Sequence, residues 1–185
     1  GVQKLAVLPL YPQYGGPTTG STFDEVSSDL TRRRWLPALR FISSYHDDPR
    51  YIAAVADSIR AHWATHGRAD KLVLSYHGMP KRYLLEGDPY HCQCHKTSRL
   101  IGEQLDLSEN EMITTFQSRF GREEWLQPYT DETLEALPGR RLVPPRREFL
   151  EGGLPVAVRV HLPEFRVRRV HRKTEERGRA PQLIH

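Results

Sequence analysis

Three short apolar runs, separated by stretches of helical periodicity, constrain this chain more than anything else in it. KLAVLPL at 4–10, LVLSY at 72–76 and MITTFQS at 112–118 have the length and apolarity of buried strands. The first stops at the turn-rich YPQYGGPTTGS, and a helix is expected after it. Ser21 or Thr22 would cap that helix, with Asp24 and Glu25 in its first turn and Phe23, Val26 and Leu30 on one face. A second helix is capped by Asp48, carries Pro49 at its first position, repeats Ile52, Val55, Ile59 and Trp63 at helical spacing, and ends at Gly67. Residues 94–105 predict a third, with Leu100, Ile101 and Leu105 inward, and Asp131 would cap a short fourth ending at Leu137. Strands alternating with helices predict an α/β fold: a Rossmann-type parallel sheet with flanking helices and functional loops beyond the carboxyl ends of its strands.

Composition narrows the setting. No apolar run approaches the roughly 20 residues that a membrane helix needs, and residue 1 onward lacks the order of a signal peptide. The two cysteines, Cys92 and Cys94, are too close in sequence for a disulfide framework, so a reducing cytosol is expected. The chain opens on glycine rather than methionine, which suggests a piece of a longer protein. Its net charge of +4 is unevenly spread: residues 1–138 hold 15 Lys and Arg against 18 Asp and Glu, and residues 139–185 hold 12 against 5. That tail contains PPRRE, RVRRV and RKTEERGRAP; VAVRVHL at 156–162 alternates as a strand does, but most of the tail is expected to be poorly ordered.

LSYHGMP at 74–80 holds the main candidate for chemistry. His77 follows directly on a buried strand, where α/β folds place ligands. Gly78 would let a substrate approach and Pro80 would fix the exit of the loop. Two readings of the imidazole stay open on these residues alone: a side chain satisfied by a loop carbonyl, or a base or metal ligand.

Three blocks, in order, carry a family resemblance. LPLYPQYGGPTTGS at 8–21, LVLSYHGMPKRYLLEGDPY at 72–90 and TFQSRFGREEWLQPYTDETL at 115–134 resemble the motifs of ferrochelatases, which insert ferrous iron into protoporphyrin IX to make haem. The resemblance covers 1–138. It implies that residues 1–66 end a first chelatase-like domain with its connecting helices, that 67–138 form most of a second, and that 139–185 are a basic tail outside the pattern. It implies that His77 takes a pyrrole proton, binds the metal, or does both. It places Trp125 at the lip of a porphyrin pocket, with Tyr11 and Tyr14 on a loop near the cleft, each tyrosine equally open to core packing. Arg119 is a candidate for a bidentate propionate contact, or for a helix-surface ion pair. Porphyrin and a divalent metal ion are the implied partners.

The resemblance also sets limits. The family pattern continues into a Pro-Gly-Phe strand and a loop whose Glu faces the histidine, and nothing after residue 138 matches it; an out-of-frame or fragment end to the sequence is the expected cause. An inactive remnant that binds porphyrin without metallating it is the alternative. Members with an iron–sulfur cluster carry a cysteine in the YPQY loop, where this chain has Gly16, so no cluster is expected. HCQCH at 91–95 offers two thiols and two imidazoles, but its spacing is wrong for a zinc knuckle and neighbours on one helix cannot all converge. The tail's arginines lack interleaved aromatics, so non-specific phosphate attraction is the most they would give.

Overall fold

The computed structural model describes residues 2–137, 141–143 and 156–161. The element order begins with β1 (Lys4–Val7), a π-helical turn (Gly16–Gly20), α1 (Ser21–Thr31), β2 (Ala38–Phe41), α2 (Pro49–His66) and β3 (Lys71–His77). It continues with α3 (Lys81–Leu85), α4 (Tyr90–Gln104), a 3-10 turn (Glu109–Glu111), β4 (Met112–Gln117), α5 (Thr130–Ala136), β5 (Arg141–Val143) and β6 (Val156–His161). β1 pairs with β2 in parallel. The larger sheet runs β4-β3-β6-β5, with β3 and β4 parallel and both pairings of β6 antiparallel.

β3 is buried from Leu72 to Tyr76, so its two faces feed two apolar layers. Leu72, Leu74 and Tyr76 point with Phe116 of β4 into a core completed by Ile52, Ala56 and Ile59 of α2 and by Cys94 and Ile101 of α4. Val73, one residue out of phase, packs instead with Ile113, Leu134 and Leu137. On that second face a ladder of hydroxyls ties strands to helix: Ser75 meets Thr130 at 2.8 Å, and Thr130 donates to Thr115 at 2.8 Å.

The expected α/β alternation is present, with local differences. Asp48 caps α2 by accepting from the Arg50 amide at 2.9 Å, and Gly67 ends it at a positive φ of 80° that favours glycine. Neither Ser21 nor Thr22 caps α1, because the preceding π-helical turn already carries the chain into it; their hydroxyls donate to carbonyls of Pro17 and Thr18. α4 starts at Tyr90 rather than 94, which places the whole of HCQCH inside the helix. Tyr129, not Asp131, stands at the cap position of α5, and Asp131 lies in its first turn. The KLAVLPL strand is not buried: Lys4 and Ala6 are exposed, since among the described residues it gains a partner strand on one edge only. VAVRVHL does form a strand, β6, at Val156–His161, and it lies antiparallel on β3. The expectation of poor order falls mainly on residues 144–155 and 162–185, outside those described.

Candidate active site

A cavity of about 690 Å³ opens at the carboxyl ends of β3 and β4, within the range of small-molecule sites. Its floor is the end of β3, where Ser75 and Tyr76 are buried and His77 emerges exposed. The His77 carbonyl accepts the Tyr90 hydroxyl at 3.0 Å, so the first turn of α4 fixes the backbone on which the imidazole is mounted. Tyr90 itself lines the cavity, and burial pushes its phenol above the ordinary range, keeping it a neutral donor.

Gly78 is required for space rather than for an unusual dihedral. A Cβ there would stand 2.7 Å from the Gln117 carbonyl oxygen and 3.2 Å from Cε3 of Trp125. The Gly78 amide donates to the same carbonyl at 2.7 Å, extending the β3–β4 pairing past His77. The chain is then zipped to the loop after β4: Leu126 N–H donates to Met79, Lys81 N–H to Glu124, and Pro80 bridges to Trp125. Side chains repeat the link, with Lys81 on Glu124 at 2.9 Å and Arg82 on Glu123 at 3.2 Å. The loops after β3 and β4 are therefore joined on this side of the cavity.

The opposite wall is the YPQY loop. Gln13, 5 % exposed, donates to the Thr97 hydroxyl at 3.0 Å, and Thr97 donates to the His46 carbonyl at 2.8 Å. The Tyr14 amide donates to Gln93 at 2.7 Å. Asp88 accepts the Gly16 amide at 2.7 Å on one oxygen and the Tyr90 amide at 2.9 Å on the other. The carboxylate of the GDPY motif thus binds the turn of the YPQY block to the start of α4, which explains how residues 72 positions apart form one site.

Of the residues expected from sequence, His77, Trp125 and Tyr11 line the cavity. Trp125 is 5 % exposed, donates its indole N–H to the Phe120 carbonyl at 3.0 Å and packs on the Phe120 ring at 4.8 Å. Tyr14 and Arg119 do not line it. The Tyr14 phenol is turned toward the π-helical turn, 3.1 Å from where a Cβ on Gly20 would stand. Arg119 is held at the first turn of α5 by Asp131 at 3.1 Å and Glu132 at 2.8 Å, over the Tyr129 ring at 3.9 Å. Arg119 thus forms ion pairs at the surface of α5.

Two guanidiniums that the sequence reading passed over, Arg82 and Arg122, lie at the cavity instead. Arg122 sits three residues beyond Arg119 in the same SRFGR run, so proximity to the motif was the signal available. HCQCH lies on α4 with Cys92 exposed and Cys94 fully buried, its thiol pushed up by desolvation.

A histidine at the carboxyl end of a parallel strand, at an aromatic-walled cavity lined by the loops that follow the strands, is the arrangement of an α/β protein of Rossmann type. Residues 1–144 match the family model described as Ferrochelatase. The chain belongs to the ferrochelatase family. It is 69 % identical over 140 residues to a ferrochelatase of Marinobacter nauticus, covering 76 % of this chain and 38 % of that protein. It is similarly 69 % identical over 139 residues to one from Teredinibacter turnerae, covering 75 % and 38 %, and 59 % identical over 140 residues to "Ferrochelatase 2" of Shewanella oneidensis, covering 76 % and 43 %. The chain spans about two fifths of the length of the curated relatives it matches.

Proposed function

We propose that this chain carries the porphyrin-binding and proton-accepting part of a ferrochelatase, a lyase of haem biosynthesis that inserts ferrous iron into protoporphyrin IX or a related porphyrin. The observation that carries this reading is the placement of His77 at the cavity floor with Trp125 and Tyr11 in its walls. A planar macrocycle needs apolar and aromatic surface on its faces and cationic groups where its carboxylates leave the slot. Arg122 suits the second task, because it lines the cavity and its side chain makes no ion pair among the described residues. Arg82 is partly spent on Glu123.

Insertion replaces two pyrrole N–H protons by one divalent ion. The His77 imidazole accepts one proton, and the other leaves to water through the open mouth of the cavity. The ferrous ion is substrate, approaching the face from which the protons depart. The rigid mount of His77, fixed by Tyr90 and by the Gly78–Gln117 contact, holds the base in place for that transfer.

No iron–sulfur cluster is part of this proposal, and a cytosolic setting fits it. Among the described residues no helix is long and apolar enough to cross a membrane.

The test is metal insertion by the full chain, followed as loss of free-porphyrin fluorescence on adding ferrous iron or zinc, with His77→Ala beside it. Turnover that falls by about a hundredfold or more in His77→Ala supports the reading. Porphyrin binding without turnover in either protein reduces the chain to a binder. An absence of porphyrin binding overturns the assignment of the cavity.

A further inference from the structure

HCQCH is the one motif that the cavity does not absorb, and the helix brings two of its members together. His91 and His95 stand one turn apart on α4, with ring centroids 4.5 Å apart and ring planes inclined by 55°. Both rings contact Phe116 of β4, His91 stacked at 5.5 Å and His95 tilted at 6.0 Å. Phe116 is 1 % exposed and cannot yield, so it restricts the rotamers of both imidazoles.

We propose that His91 and His95 form a two-imidazole site for a divalent first-row transition-metal ion, on the α4 face of the sheet and separate from the His77 cavity. An imidazole lone pair lies in the plane of its ring, so two rings serve one ion only where their planes intersect. With centroids 4.5 Å apart and planes inclined by 55°, the two ring planes intersect close to both rings, so an in-plane position common to both exists. The molecule contains its own comparison: His62 and His66 on α2 are also one turn apart, at 4.3 Å, but stack at 17°. Their planes meet far from both rings, and the His66 Nδ1 already faces the His62 carbonyl at 3.1 Å.

Burial lowers the pKa of both His91 and His95, and the neutral imidazole is the form that binds metal. Among the described residues no three His, Cys, Asp or Glu side chains gather around one point. The site thus has two protein ligands, with its remaining positions open to water, and it exchanges its ion readily. Nickel and copper should bind ahead of zinc.

The test is a calorimetric titration of the full chain with nickel ion in a His77→Ala background, which removes the cavity from the readout and makes the result independent of the proposed insertion activity. Adding His95→Ala should weaken binding by about tenfold or more, while adding His62→Ala should leave it unchanged. His95→Gln, which keeps the size and polarity of the side chain, should behave as His95→Ala does, and nickel should raise the unfolding temperature of the background protein but of neither His95 variant. Nickel binding that survives both His95 variants, that is lost only with His62→Ala, or that is absent from the background protein overturns the proposal.

Discussion

Gly78 occupies the tightest point of the site, and its substitution isolates packing from chemistry. Gly78→Ala forces a methyl against a backbone oxygen at 2.7 Å, which cannot move without separating β3 from β4; the variant should lose about 1–3 kcal/mol in a urea titration. Asp88 tests the joint between loops. Asp88→Asn can still accept one hydrogen bond on its oxygen, but it gives up the charge that serves the Gly16 and Tyr90 amides together, at a cost of about 1–3 kcal/mol. The two arginines separate in the same way. Arg122→Ala should weaken porphyrin binding about fivefold, roughly 1 kcal/mol for an exposed charge contact, whereas Arg119→Ala should leave binding unchanged because its charge is already committed to Asp131 and Glu132. Equal losses in a porphyrin quenching titration would return Arg119 to the site. Sequence could not rank these two, since both lie in SRFGR; what separates them is the position of α5, whose acidic first turn comes from a later part of the chain.

At the scale of elements, α4 carries or contacts the described histidines whose pKa is lowered. His91 and His95 lie along it, and His46 lies against it near Lys96. Burial lowers all three below the ordinary value of 6.5; at His46 Asp47 opposes the shift and Lys96 adds to it, and at His95 the neighbouring His91 adds to it. A histidine whose folded pKa is lowered binds fewer protons folded than unfolded. Its stabilising contribution is therefore complete above about pH 6.5 and is lost as pH falls through the folded value. The unfolding temperature should decline from pH 7 toward pH 5, and His91→Gln should make that decline shallower. Parallel pH profiles for the two proteins would remove His91 from the account. The sequence showed the helix through Leu100, Ile101 and Leu105 but not its first turn, because Pro89 and the polar run after it contain no apolar repeat. That turn is held instead by the local contact of Asp88 with the Tyr90 amide and by the tertiary Tyr90–His77 contact.

For the whole molecule, the site depends on β3 being the inner strand of its sheet. The apolar run 72–76 made its burial legible, and the motif after it made the position of His77 legible, because period and turn chemistry are local. Which strands flank it was not, since pairing is set by residues 40 or more positions away: β4 joins Leu72–His77 from one side in parallel, and β6 joins Lys71–Ser75 from the other in antiparallel. A basic segment, read mainly for its charge, thus supplies the second neighbour of the strand that carries the histidine. The consequence is measurable by amide hydrogen exchange on the full chain. With partners on both edges, the Leu72–Ser75 amides should be among the slowest to exchange, slower than those of β4, which lies at the sheet edge among the described residues. Val158 stands opposite Val73, and proline there cannot take part as a donor in the ladder. Val158→Pro should accelerate exchange across Leu72–Ser75 while sparing the α2 amides around Ala56. Unchanged exchange in that variant would mean that β3 is secured by β4 and its two apolar faces alone, and that the tail contributes nothing to holding His77 in place.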